Sequence, residues 1–147
     1  GATPLYWWWH LIEEQNFYPK YAGIQKFMKG VDRCDPSLLM FKPDLTIDGE
    51  RARNVKIQSM KSGVFAIGWI YRRDFENIDP SDGEQTSGLV FELPEMTEKE
   101  YTVEFWNTLD GTVIQSYAAV TKGGILSITV PSFRRDIAFK VFPSKGD

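Results

Sequence analysis

Carboxylate pairs are the first residues of this sequence to consider for chemistry, because acid–base hydrolysis of a glycosidic bond uses two of them, roughly 5–9 Å apart. Glu13 and Glu14 are adjacent, and further glutamates fall on predicted strand ends and turns at Glu92, Glu95, Glu98, Glu100 and Glu104. Neighbours in sequence point in different directions, and no pair falls in an evident pocket-forming loop. The pattern favours solvated surface carboxylates over hydrolysis by this chain.

A second acidic group lies in the long polar stretch 74–87. Its carboxylates are Asp74, Glu76, Asp79, Asp82 and Glu84, and calcium prefers such oxygen ligands. Counted from Asp79, the glycine of a calcium-binding loop comes one place early, and Val90 stands where the closing glutamate belongs. The spacing favours a solvated, flexible loop, and the sequence predicts neither a metal site nor another cofactor.

The chain contains one cysteine, Cys34, and one histidine, His10. One of each is too few for an intrachain disulfide or a Cys/His zinc site. A Ser-His-Asp triad would have to use His10, which has no nucleophile motif nearby. The 17 basic and 20 acidic residues give a net charge of −3, so no nucleic acid or anionic membrane is expected as a partner. The longest apolar run, 64–71, is too short to span a bilayer.

Aromatic side chains are the remaining candidates, because their rings can stack on sugars. The residues predicted to make such contacts are Trp7, Trp8, Trp9, Trp106 and Tyr117. Three consecutive tryptophans place aromatic surface on both sides of the backbone, so 7–9 needs cover on both faces or a ligand on one. The alternative is packing, since aromatics also fill the cores of sheets. Trp69 lies in the most apolar strand and is predicted to be core, whereas Trp106 is out of phase with the apolar residues of its own strand.

The residues before position 43 have helical periodicity. Tyr21, Ile24, Phe27 and Met28 follow at three- and four-residue spacing, which makes one apolar stripe on a helix. Gly30 is a natural C-terminal cap. The sequence therefore predicts a helix at about 19–29, with a helical turn at 10–14, a short strand at 4–9 and a linker at 31–43.

Beyond residue 43 the periodicity becomes alternating, as in strands. The predicted strands are 51–60, 64–71, 89–93, 101–105, 113–119, 126–130 and 137–141, and 107–111 is typical of a hairpin. Strands at this spacing without intervening helices are typical of an antiparallel β-sandwich, here of about seven to eight strands. We therefore predict a mainly β chain, with a strand and helix segment at 1–36 and a sandwich domain at 37–147.

The sequence also resembles a known enzyme family. The stretch Gly1 to His10, with 16–19 and 27–30, resembles the last strand and last helix of the catalytic barrel of clan A glycoside hydrolases. The likeness is to the family-five type, which includes cellulases and mannanases, and His10 replaces the usual aspartate. Stretches 68–70, 101–108, 111–114 and 135–140 are similar to the β-sandwich that follows such barrels. Together they extend the resemblance over nearly the whole chain.

The resemblance implies where catalytic residues would be. In that family the acid/base and nucleophile glutamates follow the fourth and seventh barrel strands, and both would precede Gly1, so we expect no enzyme activity from this chain. A tryptophan at the end of the eighth strand commonly forms the floor of a sugar subsite, and by resemblance this would be Trp7, Trp8 or Trp9. The resemblance also implies a secreted or periplasmic protein.

Three functions are open at this stage. The first is a non-catalytic accessory β-sandwich that packs on a glycoside hydrolase barrel and stabilises it, with Tyr21, Ile24, Phe27 and Met28 as the shared interface. The second is an independent carbohydrate-binding module that contacts a polysaccharide through exposed aromatics. The third is self-association into a homo-oligomer through the N-terminal aromatics, since strand edges and aromatic surface invite pairing.

Overall fold

The computed structural model describes residues 9–74, 84–97 and 99–144. Two α-helices come first, α1 (Trp9–Glu14) and α2 (Ala22–Met28), with a 3-10 turn at Tyr18–Tyr21 leading into α2. The strands that follow are β1 (Leu39–Phe41), β2 (Thr46–Ile47), β3 (Glu50–Arg51), β4 (Val55–Lys61), β5 (Ala66–Arg72), β6 (Leu89–Leu93), β7 (Glu100–Trp106), β8 (Val113–Val120), β9 (Leu126–Thr129) and β10 (Asp136–Pro143). The helical segment thus precedes the strands, as the sequence predicts.

The strands form two antiparallel sheets. The six-stranded sheet has the order β1-β4-β5-β10-β7-β8, and the four-stranded sheet has the order β3-β2-β6-β9. The predicted mainly β fold with an antiparallel sandwich is therefore confirmed. Each of the seven strands predicted beyond residue 43 overlaps one of the strands β4 to β10. The predicted hairpin at 107–111 joins β7 to β8, which pair antiparallel.

The hydrophobic core lies between the inner faces of the two sheets. Alternation along β7 places Tyr101, Val103 and Phe105 on the inner face, and all three are fully buried. Across the sandwich, the rings of Phe91 and Phe139 are 5.0 Å apart between centroids. Burial of such apolar surface, at about 25 cal/mol per Å², is the main term that stabilises the sandwich.

Gly68 is required by this packing. It lies opposite Ser59 of β4 and Phe139 of β10. A Cβ built on Gly68 would lie 2.6 Å from Phe139 Cζ and 2.8 Å from Ser59 Cβ. The ring of Phe139 therefore lies directly against the backbone of β5, a close approach that a side chain at position 68 would prevent.

The sequence does not predict three short strands. β1 lies within 31–43, where a linker is predicted, and its Met40 pairs with Met60 of β4. β2 and β3 pair with each other, and the residues between them, Asp48 and Gly49, have φ of 51° and 81°, as in a type I′ turn. Strands of two or three residues are too short for alternation to be recognised in sequence.

The helix predictions are confirmed with small differences. The predicted turn at 10–14 is α1, and the predicted helix at about 19–29 is the 3-10 turn followed by α2. Of the predicted strand 4–9, only Trp9 is among the described residues, and it begins α1 instead. In the described part of the chain, no helix is long and apolar enough to cross a membrane.

The prediction that Trp69 is a core residue is wrong. On β5 the inward residues are Ala66 and Ile70, which are fully buried. Trp69 is adjacent to Ile70 and therefore lies on the opposite, outer face of the six-stranded sheet, where it is only partly buried. The run 64–71 is apolar on both faces because this outer face is also partly covered by the chain.

Candidate functional site on the outer face of the six-stranded sheet

Helix α2 lies against the outer face of the six-stranded sheet, at the hairpin between β7 and β8. Gly23 of α2 is buried there, and a Cβ built on Gly111 would lie 2.6 Å from Gly23 Cα. The two backbones are therefore in contact, with no room for a side chain at position 111. Lys26 Nζ donates a hydrogen bond to the carbonyl of Asp110 at 3.0 Å, which ties the helix to the same hairpin.

The C-terminal end of α2 is held by a second contact. Phe27 packs edge-on against Trp106, with ring centroids 5.7 Å apart and planes at 82°. Lys140 Nζ lies 5.2 Å from the Phe27 ring centroid and 4.9 Å from that of Trp106, a cation–π arrangement. The same ammonium donates to the carbonyl of Lys29 at 3.2 Å. Because this carbonyl follows the last turn of α2, Lys140 also satisfies a group that the helix leaves unpaired.

Lys140 is unusual because it is a buried cation on the outer face. Its exposure is 7%, and this burial lowers the pKa of Lys140, with the nearby Glu104 carboxylate acting in the opposite direction. Glu104 in turn accepts a hydrogen bond from Trp106 Nε1 at 3.1 Å. The packing of α2 thus depends on one lysine, two rings and one carboxylate.

The lowered pKa of Lys140 predicts a pH dependence of stability. The unfolded chain holds this proton up to its ordinary pKa of 10.5, whereas the folded chain releases it at lower pH. Between those two values the unfolded state binds more protons, so stability rises with pH. We expect the wild type to gain stability relative to Lys140→Met over this range, measured by urea unfolding from neutral pH to 10.5. If the stability of the wild type relative to Lys140→Met stays constant or falls as the pH rises, the lowered pKa of Lys140 is contradicted.

Beside α2 the outer face carries a groove with a volume of about 660 Å³. Ile67, Trp69, Ala138 and Trp106 line it from the sheet, and Ile24 lines it from the helix. Most of this lining is apolar. Polar groups lie toward one end, where Asn107, Thr108, Arg135 and Asp136 also line the groove.

Trp69 is held in place by Asp136. Its Nε1 donates to Asp136 Oδ2 at 2.9 Å, and Thr108 Oγ1 donates to Asp136 Oδ1 at 3.0 Å. The ring of Trp69 also stacks on Tyr71, with centroids 4.3 Å apart and planes at 23°. One carboxylate therefore joins β5, β10 and the end of β7 at the polar end of the groove.

Comparisons with known proteins do not assign a role to this face. No protein-family model and no curated protein matches the sequence.

Of the predicted sugar-contacting aromatics, the two whose side chains the structure describes, Trp106 and Tyr117, lie on opposite faces of the six-stranded sheet. Trp106 lies on the outer face, in contact with α2. Tyr117 is opposite the inward residue Val103, and its hydroxyl both donates to and accepts from the backbone of Thr129 at 3.1 Å. Burial raises the pKa of Tyr117. Trp7, Trp8 and the side chain of Trp9 lie outside the described part of the chain.

The four predicted interface residues differ in what they contact. Phe27 faces the sheet, as described above. Ile24 is 49% exposed, and Tyr21 and Met28 are partly buried. The apolar stripe of α2 is thus divided between the chain's own sandwich and solvent.

Three residues of the site are missing from the sequence-based prediction: Trp69 as a groove residue, Ala138 and Lys140. Ala138 lies opposite Trp69 on one side and Trp106 on the other. Ala138 and these two tryptophans are neighbours because of the strand order and the pairing register. Neither can be predicted from the alternation of residues within a single strand.

The carboxylates that the structure describes are either solvated or engaged in hydrogen bonds with other protein groups. In residues 9–74, 84–97 and 99–144, no group of three or more His, Cys, Asp or Glu could hold a metal ion. Arg72 forms an ion pair with Asp74 and donates a hydrogen bond to its carboxylate at 3.0 Å. This hydrogen bond lowers the pKa of Asp74. Arg72 also donates to the carbonyl of Glu84 at 3.0 Å, so one guanidinium joins both ends of the acidic stretch. Glu76, Asp79, Asp82 and Glu98 lie outside the described residues.

Proposed function

We propose that this chain acts as a non-catalytic accessory β-sandwich of a polysaccharide-degrading glycoside hydrolase, packing on its catalytic barrel and stabilising it. The single observation that carries the proposal is the fixed position of α2 on the outer face of the six-stranded sheet. By resemblance, α2 is the last helix of the barrel. A sandwich that holds this helix thereby holds the edge of the barrel to which the helix belongs.

The strength of the α2 contact supports the proposal. A seven-residue helix is far below the roughly 12–15 residues at which isolated helices become marginally stable in water, so its stability comes from packing. Here the packing partners are Gly111, Trp106 and Lys140, all from the sandwich. The sandwich therefore supplies the stability of α2.

The outward side of α2 supports it as well. Tyr18 and Ile24 are 54% and 49% exposed, and Leu109 at the tip of the neighbouring hairpin is 57% exposed. Ile24 and Leu109 line the same groove, and exposed apolar patches are common sites of protein contact. Under this proposal they face the barrel, while the neighbouring Phe27 of the same helix contacts the sandwich.

The test starts from the reading frame upstream of Gly1. We expect it to continue into a barrel with two catalytic glutamates, and we expect that extended protein to hydrolyse β-glucans, mannans or xylans while the chain alone cleaves no aryl glycoside. In the extended protein, Phe27→Ala removes the ring between α2 and Trp106. We expect it to lower the unfolding temperature of the barrel by roughly 2–8 °C.

The matched control is Val113→Ala, which shortens an aliphatic side chain that is 45% exposed on β8. It should leave the unfolding temperature within about 2 °C of the wild type, as for most surface changes. An upstream frame without a barrel would overturn the proposal, and so would hydrolysis by the chain alone. An unfolding temperature of the barrel that is unchanged by Phe27→Ala would also overturn it.

A further inference from the structure

A second groove, rich in positive charge, lies at the side of the sandwich where the end strands of the two sheets are found. Its volume is about 1010 Å³. Arg51 of β3, the end strand of the four-stranded sheet, lines it, and so does Lys42, which directly follows β1, the end strand of the six-stranded sheet. We call this space the basic groove. The basic residues that line it are Lys42, Arg51, Arg53, Lys56 and Arg73.

The charge of the basic groove is opposite to that of the chain as a whole. The chain has 17 basic and 20 acidic residues, whereas the described lining of the groove has five basic residues and one acidic residue, Asp44. A cleft lined by charges of one sign focuses the field and raises the local concentration of ions of the opposite sign. We therefore expect the basic groove to attract anions, although the chain as a whole is negatively charged.

The protein neutralises little of this charge. Arg51 forms an ion pair with Asp44 at 3.3 Å, but both side chains are 79% exposed, and water screens a pair this exposed. The other four cations form no ion pair in the part of the chain that the structure describes. Asp74 directly follows Arg73, but its carboxylate bonds to Arg72 instead. All five basic residues are exposed, so their charges are accessible to a ligand.

Strand pairing fixes the spacing of two of these cations. Lys56 of β4 is opposite Tyr71 of β5. Arg73 comes two residues after Tyr71, and its backbone N–H donates to the Asn54 carbonyl at 2.9 Å, so the pairing continues to this point. Lys56 and Arg73 are therefore diagonal neighbours on the same face, about 7–8 Å apart. In an extended peptide, side chains on one face recur every two residues, or about 6.6 Å. Alternate side chains of such a peptide thus have nearly the spacing of these two cations.

The form of the basic groove favours an extended anion over a compact one. A single phosphate is commonly held by backbone N–H groups that converge at a helix N-terminus or a nest, whereas here exposed side chains surround about 1010 Å³. Three of the five cations are arginines, whose guanidinium groups bind carboxylates through two parallel hydrogen bonds. As end strands, β1 and β3 each have a strand neighbour on one side only among the described residues. The backbone groups of such edges pair with extended polypeptides.

We infer that the basic groove binds an extended acidic segment of a partner protein, with aspartate or glutamate at alternate positions. The carboxylates of this segment pair with Arg53, Lys56 and Arg73. The inference goes beyond the accessory function, because the residues that hold α2, namely Trp106, Gly111 and Lys140, do not line the basic groove.

The test uses the whole chain as purified protein, titrated by calorimetry with an acetylated peptide of alternating glutamate and serine. The matched peptide has glutamine in place of glutamate, so that only the charge differs. We expect the acidic peptide to bind with a Kd below about 1 mM at an ionic strength of about 20 mM. Because salt screens exposed charges, we expect binding about fivefold weaker at about 200 mM. Absence of binding by the acidic peptide, or equal binding of the two peptides, overturns the inference.

The decisive protein combines Arg53→Gln with Arg73→Gln, which removes two charges from the basic groove. The matched control combines Arg33→Gln with Lys122→Gln, which removes two exposed positive charges that do not line the groove. We expect the first pair to weaken binding about tenfold and the second pair to change it less than about twofold. Equal weakening by both pairs would mean that the net charge of the chain governs binding, and it would overturn the inference.

Two further measurements complete the test. If urea unfolding shows that the first double variant does not fold, Lys42→Gln with Lys56→Gln takes its place, with the same expected loss of affinity, and unchanged affinity overturns the inference. Tripolyphosphate represents the competing class of ligand. If it binds at least tenfold more tightly than the acidic peptide, and Arg53→Gln with Arg73→Gln abolishes this binding, the groove is a phosphate site and the inference is overturned. None of these outcomes affects the unfolding test of the accessory function.

Discussion

Replacing Gly68 with alanine is expected to lower the free energy of unfolding by about 3 kcal/mol. The new Cβ would lie 2.6 Å from Phe139 Cζ and 2.8 Å from Ser59 Cβ, well inside contact distance. Phe139 is fully buried, and its ring centroid lies 5.0 Å from that of Phe91, so its ring can move only by disturbing the facing sheet. Overpacking of this kind typically costs about 1–3 kcal/mol, and this site is at the upper end because both neighbours are confined.

Urea unfolding followed by tryptophan fluorescence measures the effect of Gly68→Ala. The control is Gly63→Ala, where the Cβ would lie 3.6 Å from the nearest atom, the Glu95 carbonyl oxygen, an ordinary contact. We expect Gly63→Ala to change stability by less than about 0.5 kcal/mol. Similar midpoints for the two variants would mean that Phe139 does not lie against β5 as described.

Gly111→Ala is expected to cost a comparable amount, about 2–3 kcal/mol, through two separate effects. The first is backbone strain, because Gly111 has a φ of +66° and an L-residue in that region costs about 1–2 kcal/mol. The second is the loss of the α2 contact, because the new Cβ would lie 2.6 Å from Gly23 Cα. The helix has to move away from the hairpin to accommodate it.

Gly123→Ala separates the two effects. Gly123 lies before β9 and has a φ of +59°, but a Cβ there would meet nothing within 4 Å. It should therefore show the backbone strain alone, about 1–2 kcal/mol, and Gly111→Ala should exceed it in urea unfolding. Equal losses for the two variants would mean that the helix contact contributes nothing to stability.

Periodicity was sufficient to predict the elements that build this site. The stripe of Tyr21, Ile24 and Phe27 predicts α2, and the phase of Trp106 relative to Phe105 predicts that one of the two lies on an outer face. Both follow from repeats of 3.6 and 2 residues, which are local properties of the chain. Phe105 is fully buried and Trp106 contacts α2 on the outer face, so the phase prediction is confirmed.

The composition of the site depended on information that a single strand does not carry. The run 64–71 is apolar on both faces, so alternation cannot tell Trp69 from Ile70 as the core residue. Only the pairing of Trp69 with Ala138, and of Ala138 with Trp106, brings both tryptophans to the same groove. This pairing joins residues that are far apart in sequence, as expected for sheet register.

Lys140 and Gly111 illustrate the same limit. Lysines are almost never fully buried unless paired, so Lys140 in strand 137–141 is most simply interpreted as solvated. It is buried because α2 covers it, with Phe27 and the Lys29 carbonyl around its ammonium. From the sequence, Gly111 is only a turn residue of the predicted hairpin. Its contact with Gly23 forms only when the helix packs on that hairpin.

Hydrogen exchange of the α2 amides tests most directly the central claim that the sandwich holds this helix. Helix α2 has seven residues and would not be protected on its own. We predict slow exchange at the amides of 25–28, which the helix itself hydrogen-bonds, in the wild type, at least tenfold faster exchange in Gly111→Ala, equivalent to about 1.4 kcal/mol, and wild-type rates in Gly123→Ala. Unprotected α2 amides in the wild type, or equal rates in all three proteins, would contradict the account.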